Sequence, residues 1–406
     1  MIVAGDQQLL KQINRMALVR QLCGAPGMSR AGLSETVGLT KSTVSLLVRE
    51  LMDEGWLTES ALRATGALGR RATPLHLDGE RLALLGADLG ITGLRLVATN
   101  LLGVVLAERD EPYDDAADAA ACVAQAARAL TALAADAALA PRTLLGLGVG
   151  LHGAVDDTSG LLHVAPHLGW RNVDVAGLLR ASLAGTALAT LPLFIQNEAK
   201  VAALAELEFS GERGADPLIY VSIGYGVGAG IIVNGRLMTG LYGFAGEVGH
   251  TILQQGGPPC SCGRRGCADA LIGLQALLDA VHGPRQPAPP EPLQQLFSAA
   301  ERGDAATLAA VAAAGRHLGV LLNNLWVAFD PMSIALGGAA MRLGEHLVAP
   351  ARQVLAEYAA ATSLAAPAVR TPPFGANSIA IGGAAMARHY LMRPFDGHGV
   401  GSYAGT

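Results

Sequence analysis

Apolar residues recur at helical spacing in three short runs near the start of the chain, and the spacing then changes. Ile13, Met16, Ala17, Val19, Arg20 and Leu22 give a first helix with one apolar face, which stops at Gly24-Ala25-Pro26-Gly27. Ser29 is placed to cap a second helix through Val37, Gly38-Leu39 supplies a tight turn, and Thr40 caps a third helix running to about Glu54. Val44, Leu47, Val48 and Leu51 share one face of this third helix and should bury, which turns Lys41, Ser42, Thr43, Ser45 and Arg49 outward. Residues 59 to 77 then read as two short strands around a tip at Gly69-Arg70-Arg71.

Beyond Leu84 the pattern alternates between strands and helices. Residues 84 to 90, 95 to 99, 104 to 108 and 144 to 150 carry the apolar runs of strands, and the Ala-rich stretch 115 to 140 carries a helical period. The alternation returns with strands at 218 to 222, 230 to 233 and 334 to 336 and helices at 198 to 208 and 305 to 327. Residues 283 to 292 form a proline-rich surface connection. The class is therefore α/β, preceded by a small helical head.

At 406 residues the chain is long enough for two or three domains. Its apolar share is 51%, but Gly and polar positions interrupt the Ala, Leu and Val, so no stretch is expected to supply a membrane span. Asp6, Gln7, Gln8 and Lys11 break any secretory leader, which makes cytoplasm the expected compartment. The formal net charge of −5 excludes a protein that coats nucleic acid indiscriminately. The charge is uneven, however: ten Lys/Arg against eight Asp/Glu from Met1 to Arg81 make that part +2 and leave −7 for the rest.

The head has the chemistry of a winged helix-turn-helix. Lys41, Ser42, Thr43, Ser45 and Arg49 put short hydroxyls and flanking cations on the exposed face of a recognition helix. Arg70 and Arg71, on the wing tip, suit a narrow minor groove, where the negative potential of DNA is strongest. The alternative for such a head is a protein-binding or dimerisation module.

Further along, His250 is followed by Cys260, Cys262 and Cys267 in a segment that glycines and Pro258-Pro259 keep in a loop. One imidazole and three thiols are a tetrahedral zinc set, and four protein ligands leave no open position for water, so the expected Zn2+ is structural. A loop of free thiols is the alternative. Cys23 and Cys122 stand alone in helix-like sequence and are expected to pack as small hydrophobes, without disulfides.

Taken in order, the winged head, Asp88-Leu89-Gly90, Asn197-Glu198, Gly224-Tyr225-Gly226-Val227-Gly228, the stretch from Glu247 to His250, the cysteine cluster and the late Gly-Gly segments at Gly337 and Gly382 resemble the ROK family of repressors, open reading frames and kinases. The resemblance spans nearly the whole chain and is nearest the branch that carries the xylose and N-acetylglucosamine repressors. It implies a winged helix-turn-helix over residues 1 to 80 and a two-lobed, actin-like/ribonuclease H-like body over residues 81 to 406. One lobe would take about 81 to 195 plus a C-terminal segment and the other about 196 to 370.

It also implies a sugar cleft between the lobes, with Glu247 and His250 holding hydroxyls, Asn197 and Glu198 approaching from the other side, and Asp269 closing the ring. His250 would use one ring nitrogen for zinc and the other for a hydroxyl. Trp170 follows the segment that lines the family's cleft, with plain packing as its alternative role.

A working sugar kinase needs glycines and hydroxyls at the phosphate loops and an Asp base, and this chain departs at each. Ile91 stands where the kinases show a second glycine, Tyr225 where they show a small hydroxyl residue, and Glu198 where they show the catalytic Asp. The expected function is a sugar-responsive transcriptional regulator, a repressor without kinase activity. It would act as a homodimer or homotetramer on two-fold operator DNA, with no membrane partner. The rivals are an ATP-dependent sugar kinase with an appended DNA-binding head and a regulator that answers to a partner protein.

Overall fold

The computed structural model describes residues 7–60, 73–211, 216–283 and 292–393. The head opens with α1 (Gln7–Gly24), α2 (Arg30–Val37) and α3 (Lys41–Asp53), and closes with the antiparallel pair β1 (Leu57–Glu59) and β2 (Leu75–Leu77). Ser29 caps α2 by accepting from Gly32 N, and Thr40 caps α3 by accepting from Thr43 N, as the sequence predicts. Gly38 takes the left-handed turn between them at φ 73°, a conformation glycine adopts without strain. Met16, Leu18, Val19 and Leu22 of α1 meet Val44, Leu47, Val48 and Leu51 of α3 in the head core. The wing tip, with Arg70 and Arg71, lies outside the described residues.

The body begins with β3 (Leu82–Leu89), β4 (Gly93–Asn100), β5 (Val105–Pro112), α4 (Ala119–Ala134) and β6 (Thr143–Leu151). A three-stranded meander, β7 (Ala154–Asp156), β8 (Leu161–Ala165) and β9 (Trp170–Asp174), leads to α5 (Val175–Leu183), β10 (Leu193–Asn197) and α6 (Glu198–Phe209). The first large sheet runs β10-β6-β3-β4-β5, parallel where β10, β6 and β3 meet and antiparallel beyond.

The second half contains β11 (Leu218–Ile223), β12 (Val227–Val233), β13 (Arg236–Leu237), α7 (Asp269–Ile272), α8 (Leu274–His282), α9 (Pro292–Glu301) and α10 (Ala305–Phe329). It ends with β14 (Ser333–Gly337), α11 (Glu345–Ala360), β15 (Ala368–Arg370) and α12 (Ser378–Leu391). Its sheet runs β13-β12-β11-β14-β15. Two mixed five-stranded sheets flanked by helices are the architecture the resemblance implies.

Several boundaries move for local reasons. The predicted helix over 115 to 140 contracts to Ala119–Ala134, because the Asp118 carboxylate accepts from Ala121 N and starts it late. The strand predicted from 230 begins at Val227, since the glycines of Val227-Gly228-Ala229-Gly230 still pair in register with β11. The meander from β7 to β9 has too little periodicity to be read in advance. Trp170 is 3% exposed and donates its indole N–H to the Ala116 carbonyl at 3.0 Å, so it packs.

The expectation that no segment is long and apolar enough to cross a membrane is corrected by α10, whose 25 residues pass that test by length and composition. In the fold, its Val311, Ala314, Leu318, Leu322 and Leu325 are buried in the core of the second sheet, so the apolarity serves packing.

Helix α12 lies directly on the first sheet. A Cβ on Gly86 would come within 1.8 Å of the Ala380 carbonyl, and one on Gly148 within 2.0 Å of the Gly383 carbonyl, so backbone meets backbone. On its other side α12 packs against α6, where a Cβ on Gly382 would meet the Val201 carbonyl at 2.3 Å. The far end of α6 is locked by charge: Glu208 accepts from Arg388 Nη2 at 2.8 Å and Arg393 Nη1 at 2.9 Å, and its other contact is His389 Nδ1 at 2.8 Å.

Burial alone would push the Glu208 carboxyl up, but Arg388, His389 and Arg393 outweigh it and hold the group well below the usual range. A depressed folded pKa means the stabilisation is present above the unfolded value of about 4.3 and lost as pH falls below it. Glu208→Gln should therefore lower stability by about 3 kcal/mol at pH 7, the scale of leaving a buried ion pair half-broken. It should also flatten the acid limb of the stability profile, as read from urea denaturation midpoints at pH 7 and pH 4. Equal midpoints for the two proteins at pH 7 would contradict it.

Candidate functional site

A cluster of buried ionisable groups gathers where β10 gives way to α6. Asn197 caps α6, with Oδ1 accepting from Ala199 N at 3.0 Å and Lys200 N at 3.4 Å. Its Nδ2 donates to the Gly153 carbonyl at 3.0 Å and to Glu198 Oε2 at 2.6 Å. An amide has two donors and two acceptor sites, so Asn197 is fully engaged and acts by holding Glu198.

Around Glu198 stand Asp88 at the end of β3, His152 after β6, and Glu247 in the loop leading to a short 3-10 turn, Val248–His250. Burial pushes the Glu198 carboxyl up and Asp88 adds to the push, while His152 opposes it. Burial and the Glu198 charge likewise raise Glu247, opposed by Lys200 and His250. These groups therefore sit within electrostatic reach of one another.

Asp269 begins α7 and its Oδ1 accepts from Val227 N at 2.5 Å. A Cβ on Gly249 would lie 2.4 Å from the same oxygen, so Asp269 braces the β12 entrance against the Glu247-to-His250 stretch. One carboxylate oxygen remains free of that bond.

His250 faces the cysteines. Its Nδ1 is 3.6 Å from Cys260 Sγ, Cys262 Sγ is 3.7 Å from Cys267 Sγ, and all four ligand atoms lie within 4.8 Å of one another. Tetrahedral zinc with Zn–S near 2.3 Å requires sulfur–sulfur edges of about 3.8 Å, so the donor set and spacing fit a structural metal. The loop folds so locally because Gly266 (φ 75°) passes where a Cβ would meet the Gln254 carbonyl at 1.6 Å. The Ile252 and Cys267 bridge then carries the knuckle straight into Asp269.

Both turns that would cradle phosphates are hairpins. Gly90 N donates to the Gly93 carbonyl at 3.0 Å around Ile91, and Gly224 N to the Gly226 carbonyl at 2.8 Å around Tyr225. The Tyr225 ring lies 5.7 Å from the His167 ring, reaching from the β11–β12 turn to the β8–β9 turn. His152 Nε2 stands 3.5 Å from Asp88 Oδ1.

On the head, Lys41, Ser42 and Arg49 are exposed, and Thr43 and Ser45 half-buried. The Thr40 hydroxyl bonds those of Ser42 at 2.9 Å and Thr43 at 2.8 Å. Arg81, the first body residue, donates to the Met52 and Asp53 carbonyls at 2.8 and 2.7 Å, tying the end of α3 to the start of β3.

Sequence reasoning missed His152 and Lys200. Their only signal was a charged residue at the end of an apolar strand and on an apolar helix. Burial acts to lower His152, but its bond to Asp88 and the charges of Glu198 and Asp88 outweigh this and set it at about 9. A raised folded pKa contributes stability fully below the free value near 6.5, lost as pH rises through about 9. NMR titration of the imidazoles should show one titrating near 9 and returning toward 6.5 or below in Asp88→Asn. Histidines that all titrate below 7.5 would contradict this geometry.

The family described as ROK family matches residues 84–390, and that described as winged helix-turn-helix DNA-binding matches residues 12–58. A xylose repressor of Caldicellulosiruptor bescii is 29% identical over 362 residues, 86% of this chain and 89% of the relative. The crystal structure of a ROK family transcriptional regulator, a homologue of the E. coli MLC protein, superposes at TM-score 0.75 with 25% identity over 94% of this chain and 97% of that one. A Streptomyces griseus ROK glucokinase solved with glucose and AMPPNP superposes at TM-score 0.63 with 25% identity, covering 75% of this chain and 99% of its own.

Proposed function

The chain belongs to the ROK family, and from that membership we propose that it is a sugar-responsive transcriptional repressor that binds operator DNA through its winged helix and a sugar in its cleft without phosphorylating it. The observation that carries the reading is the fusion itself: a Thr40-capped helix with exposed Lys41 and Arg49 is joined through Arg81 to a body matched by the ROK family. Relatives named xylose repressor and a superposable ROK regulator support it.

In this reading residues 1 to 80 form the DNA-binding head and residues 81 to 406 the effector-binding and oligomerisation region. Glu198, Glu247 and His250 face the sugar hydroxyls, Asn197 holds Glu198, and Asp269 offers its remaining oxygen. Lys41, Ser42, Thr43, Ser45 and Arg49 contact the major groove and the phosphates, and Arg70 and Arg71 the minor groove. The protein acts in the cytoplasm as a homodimer or homotetramer, because a two-fold assembly matches paired half-sites. Kinase chemistry is disfavoured by Ile91 and Tyr225 at the phosphate turns and by His152 beside Asp88.

Selection from a random duplex pool should enrich a two-fold symmetric sequence. A panel of pentoses, hexoses and amino sugars should contain a member that changes its binding at least tenfold. Glu247→Ala should keep the DNA affinity and lose that response. No enriched sequence, no responding sugar, or ATP-dependent phosphorylation of the sugar would each sink the reading.

We assign the metal as Zn2+ held by His250, Cys260, Cys262 and Cys267. When bound, zinc would draw the knuckle and the Glu247-to-His250 stretch into one rigid unit. Elemental analysis should find one zinc per chain. Cys262→Ser should lose most of it and melt about 5 °C lower, the shift that about 2 kcal/mol produces in a large domain. A metal-free native protein would remove the assignment.

A further inference from the structure

The chain contains three lysines, Lys11, Lys41 and Lys200, against 26 arginines (29 Lys+Arg less 3), so Lys200 is the body's single lysine. It is also 1% exposed, on the first turn of α6, two residues from Glu198. A protein that uses arginine nearly everywhere keeps lysine at its most enclosed cationic position. A compact ammonium on a flexible stem suits a single carbonyl acceptor at the end of its reach.

Lys200 Nζ donates to the Gly243 carbonyl at 2.6 Å. Gly243 belongs to the loop of residues 238 to 247, which ends at Glu247. This loop bridges the meander and the second sheet: a Cβ on Gly243 would meet the Val155 carbonyl at 2.5 Å, on the meander strand β7, while one on Gly246 would meet the Ala229 carbonyl at 2.1 Å, on β12. The Lys200 Cε lies 3.6 Å from that same Gly246 position. Around the ammonium stand carboxylates from three places: Glu247 in the loop, Asp157 after β7 and Glu198 on α6.

Both ends of the loop are tied to β12, by Met238 N to the Ile231 carbonyl and Ala229 N to the Gly246 carbonyl, each at 2.8 Å, but the stretch between them has little else to hold it. Leu241, Tyr242 and Phe244 are 86, 75 and 55% exposed, so its side chains contribute little burial, and Gly240, Gly243 and Gly246 all take positive φ. Its internal bonds are few: Ala245 N to the Thr239 carbonyl at 3.1 Å and Glu247 N to the Phe244 carbonyl at 3.2 Å. A buried, charge-assisted bond is the strongest single tether available to such a segment.

We propose that Lys200 is a positioning residue for the effector site, latching the loop of residues 238 to 247 across the cleft and so setting Glu247 opposite Glu198. The inference rests on the reading of this cleft as the effector site, but its test uses no sugar, so the two stand or fall separately. Glu198 and Lys200, two residues apart on one helix, then act together: the first faces the ligand and the second fixes the loop that brings the opposing carboxylate.

The first measurement uses the native full-length protein. Brief labelling with an amine-reactive acetylating reagent should modify Lys11 and Lys41 and leave Lys200 at least tenfold slower, with equal reactivity after denaturation. Lys200 labelling as fast as Lys41 overturns the proposal. The second is hydrogen exchange by mass spectrometry on two variants. Lys200→Met, which keeps the stem and removes the charge, should speed exchange across residues 238 to 247 at least tenfold while α10 and α11 stay unchanged. Lys200→Arg, which keeps a charged donor, should restore most of the protection. Native protection in Lys200→Met, or loosening as large in Lys200→Arg, would show that the ammonium is not the tether. If neither variant folds, the labelling of the native protein decides.

Discussion

The architecture depends on one close approach, the seating of α12 on β3 and β6 through glycine. Where Gly86, Gly148 and Gly383 meet, a Cβ would stand 1.8 to 2.4 Å from a backbone carbonyl oxygen, so any side chain would force helix and sheet apart. Because α12 is fixed so tightly, α6, which leans on Gly382 of α12, is fixed in turn. One end of α6 then presents Asn197, Glu198 and Lys200 to the cleft, and the other presents Glu208 and Phe209 beneath the head. A dozen residues of helix, about 18 Å long, thus join the two regions by a rigid path.

The head is continuous with that path. Its apolar core runs on into the residues beneath α6 and α12, and Cys23 Sγ of α1 lies 3.9 Å from Met392 Sδ just past α12. Arg81 adds polar contacts from the first body strand to the end of the recognition helix. A ligand that favours one arrangement of the cleft over another can bias the heads only through such contacts, by its differential affinity for the two arrangements.

In the proposed reading, electrostatics around Glu198 favour binding a sugar over phosphorylating it. Burial raises Glu198 and Glu247, with neighbouring carboxylates adding to the push, and a cationic His152 stands beside Asp88. Hydroxyl recognition is compatible with such a place, since carboxylate oxygens accept hydrogen bonds from hydroxyls. At the β11–β12 hairpin the Tyr225 ring lies 5.7 Å from the His167 ring, where the proposed reading disfavours nucleotide phosphates.

How much was legible in advance follows from which forces are local. Helix caps at Ser29 and Thr40, the buried stripe of α3, the β3-to-β6 strands and the spacing of His250, Cys260, Cys262 and Cys267 are governed by neighbours within a few residues, and the chain alone determined them. Lys200 against Gly243, His152 against Asp88, Tyr225 against His167 and Glu208 against Arg388 join residues 43 to 180 positions apart, and no local pattern encodes them. Only the folded arrangement decided these, because a charge in a low-dielectric interior takes its meaning from whichever group the tertiary packing brings beside it.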